Sequence, residues 1–382
     1  MRKKLFNVFI ILILILTVSA CANNETYSTK GLSFNAINDG EAYEVSLEIS
    51  TRSSSYISIP PTYMGKKVIR IVANGFSQIK SDVKSVKIPS TVTIIGYQAF
   101  YYCISLETVI FEKGSKLETI SESAFSGCKN LKNISLPTNI TKVDRWAFSN
   151  CTNLESVNFG SESNLKIISE NAFSYCSNLK TISFPSNLEI IEDEAFSSCK
   201  GIKNLKIPSK VVDIGRWAFN NCDNLENVEI PASVEYLGRS AFGMCDKLES
   251  ITFETGSKLA YINEDAFSYS LNLRNIEIPL GVTSIGPNAF KGCENLQSVV
   301  IPISVTYISS NAFADCINIS TITIPKSVLK IYNNAFSGWT TSQVIYLKGF
   351  ISQDIADEAL WDSNWGYPGN WRENCNALII YG

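Results

Sequence analysis

The chain has 382 residues, no histidine and a formal net charge of −3. Without imidazole it lacks the commonest general base, the usual catalytic triad and almost every catalytic zinc site. The slight acidity argues against a nucleic-acid partner, which needs a basic stripe, and neither a glycine-rich phosphate loop nor a nucleophile elbow is present.

Arg2-Lys3-Lys4, the apolar run Leu5 to Thr17 and the small residues Ser19-Ala20 read as an export leader over 1–20. The apolar stretch is short and ends in small residues, so it is a removed signal before it is a membrane helix. Val18-Ser19-Ala20-Cys21 resembles the lipobox of bacterial lipoproteins. That resemblance implies cleavage before Cys21 and a diacylglyceryl thioether on its sulfur; the alternative is an ordinary secretory leader with an incidental cysteine. A lipid there would anchor the protein to a membrane without spanning it, with residues 21–30 as a polar tether. Removing the leader leaves 30 basic and 36 acidic residues, a net of −6.

Residues 31–54 come next. Phe34 to Ile37 and Ala42 to Leu47 flank Asn38-Asp39-Gly40, a hairpin signal, and the spacing of a calcium loop is absent. The hairpin is read as a cap that shields the apolar end of a repeat array.

From 55 to 349 an Ala-Phe pair returns eleven times, from Ala99-Phe100 to Ala335-Phe336, with Gly75-Phe76 as a degraded first copy. Successive phenylalanines are 23 residues apart seven times, 25 apart three times and 24 apart once. A fixed period of this size means a solenoid of about 12 units, each burying its apolar face against its neighbours. In the unit Leu225 to Cys245, Val228 and Ile230 alternate with polar residues as a half-buried strand does. Pro231 ends that strand, because it has no N–H for the next rung. Val234, Leu237, Ala241-Phe242 and Cys245 come after it at near-helical spacing and read as a short helical or 3₁₀ turn. The longer units replace the proline by a wider Gly/Ser turn, as in Phe111 to Ser115, Phe159 to Ser163 and Phe253 to Ser257.

The runs Ile230 to Val234, Ile301 to Val305 and Ile324 to Val328, with the Ala-Phe-x-x-Cys endings, resemble the leucine-rich repeats of BspA-like bacterial surface proteins. The resemblance covers roughly residues 55 to 350 and implies an exported binding or adhesion protein. The fold expected is an α/β-type repeat solenoid: a leucine-rich-repeat horseshoe with a parallel β-sheet on the concave face and short helical or 3₁₀ turns on the convex face. Strands about 4.8 Å apart would give a body on the order of 60 Å long.

Of the 11 cysteines, nine share one repeat position, from Cys103 to Cys316, while Ser270 and Trp339 hold it elsewhere. Side chains stacked at one position point the same way and do not converge as a disulfide requires, so they are read as buried free thiols in a packing slot. No CxxC pair suggests a metal, and no cofactor is expected. Glu192-Asp193-Glu194 is the densest carboxylate group and reads as a solvated edge.

Two columns of strand residues point out of the core. One is uniformly small and polar, from Ser85 and Thr108 to Thr321, and reads as a bonding ladder along the coils. The other varies, and its Lys87, Asn158, Lys206, Glu229, Thr252 and Glu277 are the candidate ligand contacts. After Phe350 the composition changes. Ser352 to Leu360 has a helix start, Trp361, Trp365, Tyr367 and Trp371 stand beyond it, and Ala377 to Tyr381 is strand-like. This segment, 350–382, is either a cap over the last coil or an aromatic platform for a sugar or protein. Together these features point to a monomeric, lipid-anchored protein on a bacterial cell surface that contacts an extracellular protein or glycan. A spacer or envelope scaffold is the second reading, and a carboxylate-dependent carbohydrate-active enzyme a remote third.

Overall fold

The computed structural model describes residues 27–48, 54–77, 82–349, 372 and 374–382. Leu32–Ile37 and Ala42–Leu47 pair antiparallel around Asn38, Asp39 and Gly40, all three at positive φ. From there the chain winds as a series of coils, and each coil contributes two strands. The longer one, such as Asn227–Ile230, stops at its proline. The shorter one, such as Tyr236–Leu237, has two residues. Stacking in register builds two parallel ladders. The long-strand ladder has three parts: Tyr56–Ser58 to Thr181–Ser183, Asn204–Lys206 to Ser298–Val300, and Thr321–Ile324 to Leu378–Tyr381. The short-strand ladder starts at the N-terminal hairpin, runs to Tyr236–Leu237, and resumes from Tyr261–Ile262 to Lys330–Ile331.

Between the ladders lies one continuous core. Its spine is the phenylalanine column, in which each ring from Phe76 to Phe336 stacks on the next coil's ring. Spacings run from 4.7 Å for Phe76–Phe100 to 6.3 Å for Phe242–Phe267. The widest gap falls where a longer coil interrupts the short-strand ladder. Those longer coils carry their extra residues in turns with Gly114, Gly160 and Gly256 at φ 74 to 81°, where a side chain would be strained.

The turn around Ala-Phe-x-x-Cys corrects the sequence expectation. Among the described residues there is no helix: the helical or 3₁₀ turn is instead a pair of left-handed bends. In the coil holding Ala172-Phe173, Asn171 and Tyr175 sit at φ 57 and 59°. The N–H groups of Asn171, Phe173 and Tyr175 donate to Asp193, Ala195 and Ser197 of the next coil, at 2.8–3.0 Å. Those of Ala172, Ser174 and Cys176 donate back three residues, to Ser169, Asn171 and Phe173. Alternate N–H groups therefore tie the coils together, whereas a helix would direct them all along its own axis. Left-handed residues also stop a right-handed helix outright. Asn, Asp and Gly recur at these two positions because they enter that region at low cost.

Candidate binding surface

The nine repeat cysteines are buried and free. Burial pushes the Cys245 and Cys293 thiols up to about 12 and raises Cys128, Cys176, Cys222 and Cys316 well above the ordinary thiol value. These six stay protonated at neutral pH, so they supply no thiolate for redox or metal chemistry. The column's thiol groups also have a structural use. Every thiol donates to the carbonyl of the preceding coil's phenylalanine, as Cys128 does to Phe100 at 3.1 Å and Cys316 to Phe290 at 3.1 Å. The two exceptions in the column keep the same bond: Ser270 Oγ donates to Phe242 at 3.0 Å and Trp339 Nε1 to Phe313 at 2.9 Å. The column thus conserves a hydrogen-bond donor, a constraint that reading it as an apolar slot misses. Cys375 is half-buried outside the column.

The carboxylates of Glu192-Asp193-Glu194 are largely engaged in holding coils together. Glu192 accepts the Glu170 N–H at 2.9 Å, and Asp193 accepts both the N–H and the guanidinium of Arg216. Burial raises the Glu194 carboxyl, with Glu170 and Asp193 adding to the shift.

On the long-strand ladder, the uniform outward column bonds along itself. Ser156 donates to Asn133, Asn227 to Asn204, Ser250 to Asn227 and Ser298 to Asn275, at 2.6–3.0 Å. The varied column beside it is solvent-facing from Ser135 onward. Its six candidates do not form one site. Lys87 lies near the N-terminal end, its ammonium 5.5 Å from the Tyr27 ring. Asn158 accepts the Gly160 N–H at 2.9 Å and shapes its own turn. Lys206 and Glu229 stand side by side in register and pair at 3.1 Å. Thr252 and Glu277 line a separate, larger recess of about 810 Å³ farther along.

Lys206 and Glu229 rim a depression of about 280 Å³ with Asn204 and Asn227, over a floor of Ile182, Phe184, Ile202 and Leu205. It opens where the long-strand ladder breaks between Thr181–Ser183 and Asn204–Lys206. Phe159 and Phe184 occupy consecutive strand ends there, their rings 6.3 Å apart, and the Phe184 ring meets Phe196 edge-on at 5.7 Å. Ile182 is left partly uncovered, although its counterparts Val157 and Leu205 are buried. The apolar floor is the part of the site that sequence reasoning missed. Its signal was present as phenylalanine in place of the Ile or Leu that ends most strands. Cys21 and the aromatic group Trp361, Trp365, Tyr367 and Trp371 lie outside the described residues, as does Ser352 to Leu360.

The profile of the BspA type leucine rich repeat region, in six copies, matches residues 48–167, 166–291 and 260–364. The chain belongs to the BspA-type leucine-rich-repeat family. A comparison with curated proteins finds no match. Among solved structures, a leucine-rich repeat protein from Bacteroides ovatus is 24% identical with a TM-score of 0.58, over 93% of this chain and 99% of that one. The pneumococcal vaccine antigen PcpA is 20% identical with a TM-score of 0.52, over 93% and 99%. Both share the parallel leucine-rich-repeat solenoid with this BspA-type chain. A leucine rich cell surface protein from Faecalibacterium prausnitzii is 27% identical over 77% of this chain and 93% of that one, with a TM-score of 0.47.

Proposed function

We propose that this BspA-type chain is a lipid-anchored, non-catalytic binding protein of a bacterial cell surface that contacts an extracellular protein or glycan through its long-strand face. The observation that carries this reading is the depression at Lys206 and Glu229. It joins an apolar floor to a ring of amide and charged groups, the combination by which recognition sites hold and orient a ligand. It also opens on the column whose residues differ from coil to coil, where a ligand preference can be written without disturbing the fold. A single site of this size binds modestly, and many copies on one surface raise the effective affinity.

The test is a binding screen of the chain from residue 22 against matrix proteins, mucins and cell-wall glycans, displayed as a multimer. For the ligand found, Lys206→Ala with Glu229→Ala is expected to weaken binding by about tenfold, which corresponds to roughly 1.4 kcal/mol. A screen in which nothing binds, or a pair of substitutions without effect, removes the site. The anchor is tested separately. Cys21→Ser in the full chain is expected to move the protein from the membrane fraction to the soluble fraction, and a variant that still sediments with membranes refutes the lipid.

A further inference from the structure

Part of the array's charge pairs from coil to coil, as in Lys166–Glu189 at 2.8 Å, Lys200–Asp223 at 2.8 Å and Lys258–Glu235 at 3.0 Å. One stretch sets charges outside such pairs around exposed apolar side chains. Around the coil of Ser298–Val300, Leu280, Val300 and Ile303 are 79, 65 and 81% exposed. Leu280 and Ile303 directly follow strand-ending prolines, a place held elsewhere by polar residues such as Ser209 and Lys326. On one side of this apolar centre stand the exposed Glu277, one coil away, and Glu254, two coils away. On the other side stand the exposed Lys326, one coil away, and Lys348, two coils away. Among the described residues none of these four charges is in an ion pair; Glu254 accepts only the Ala232 N–H. Recesses of about 810 and 660 Å³ flank the centre on its acidic and basic sides.

The arrangement is acidic, apolar, basic, with the charges at equal coil spacing on either side. We propose that the patch is a self-association face, covered by the same patch of a second copy across a two-fold axis parallel to the strands and running through the Ser298–Val300 coil. Such a rotation keeps each residue's place along its strand and reverses the order of the coils. Val300 and Ile303 meet their own counterparts. Glu254 comes to face the partner's Lys348, because both follow the last strand residue of their coils; Leu280 comes to face the partner's Lys326, and Glu277 lies on the same coil as Leu280, three residues before it. A two-fold contact must be complementary to itself, and this pattern is. A foreign partner would require neither the symmetry of the spacing nor charges of both signs. Desolvated rim pairs of this kind fix register and suppress wrong partners more than they add affinity, and exposed apolar side chains at the centre supply the burial.

The chain from residue 22, without the leader expected from the sequence, is followed by sedimentation velocity over a rising concentration series. The expected result is a reversible shift from monomer to dimer. Glu254→Lys with Glu277→Lys, and separately Lys326→Glu with Lys348→Glu, set like charges against each other, so each variant alone is expected to remain monomeric. Mixed in equal amounts, the two reversed variants are expected to associate again as a heterodimer. Val300→Asp with Ile303→Asp is expected to abolish association while leaving the circular dichroism and thermal midpoint unchanged. A parent chain that stays monomeric throughout overturns the proposal. So does a dimer that survives Val300→Asp with Ile303→Asp, or a pair of reversed variants that fail to associate on mixing. The Lys206–Glu229 depression lies outside the patch, so ligand binding there stands or falls independently.

Discussion

Replacing Phe219 by alanine in the middle of the stack is expected to lower the unfolding free energy by about 3–5 kcal/mol. The ring is fully buried and lies 5.4 Å from Phe196 and 5.3 Å from Phe242. Its loss opens a cavity that neither neighbour can fill, because each is held by its own coil. In a solenoid, stability is the sum of coil terms and nearest-neighbour interfaces, so one lesion at Phe219 weakens two interfaces at once. Among the stacked rings Phe76 contacts only Phe100, and Phe76→Ala is expected to cost less. A mid-array lesion should also split or broaden the urea transition, as the two halves lose cooperativity. Equal losses at Phe76 and Phe219, or a sharp transition for Phe219→Ala, would contradict this account.

The second large effect concerns the donor column. Cys222 is buried and donates to the Phe196 carbonyl at 3.4 Å. Cys222→Ala removes both the sulfur volume and the donor, and is expected to cost about 2 kcal/mol. Cys222→Ser keeps the donor in the geometry that Ser270 already uses and is expected to cost less than about 1 kcal/mol. If the column were only an apolar slot the order would be reversed, since a buried hydroxyl without a partner is worse than a small methyl. Chemical denaturation of the two variants decides between them. Because burial raises the Cys222 thiol well above its ordinary value, alkylating reagents at neutral pH should label it only after unfolding.

These two predictions mark where the sequence was informative and where it was not. The period of the Ala-Phe pair located the coils, the alternation of Val228 and Ile230 located the strands, and Pro231 located the strand ends. Pleat and missing N–H act within one coil, so a single unit suffices to read them, whereas the period is read by comparing successive units. Repetition alone pointed to a solenoid, and its leucine-rich-repeat type was implied by the resemblance to BspA-like repeats.

The turn conformation was not legible in this way. Val234, Leu237, Ala241 and Cys245 keep a near-helical spacing, yet the backbone there takes left-handed bends at Ser240 and Met244. The hydrogen bonds that stabilise those bends go to another coil, as Ser240 and Met244 donate to Glu264 and Ser268. The donor role of the cysteines is hidden for the same reason, because its acceptor lies 26 residues earlier for Cys222. Likewise Lys206 and Glu229 were legible as variable, outward positions, but the floor of Ile182 and Phe184 beneath them exists only because the ladder parts there. The repeated residues determined the architecture of this chain. Which neighbour receives each hydrogen bond, and where two coils separate enough to admit a ligand, only the stacked structure decided, since both depend on the contact between coils and not on any coil by itself.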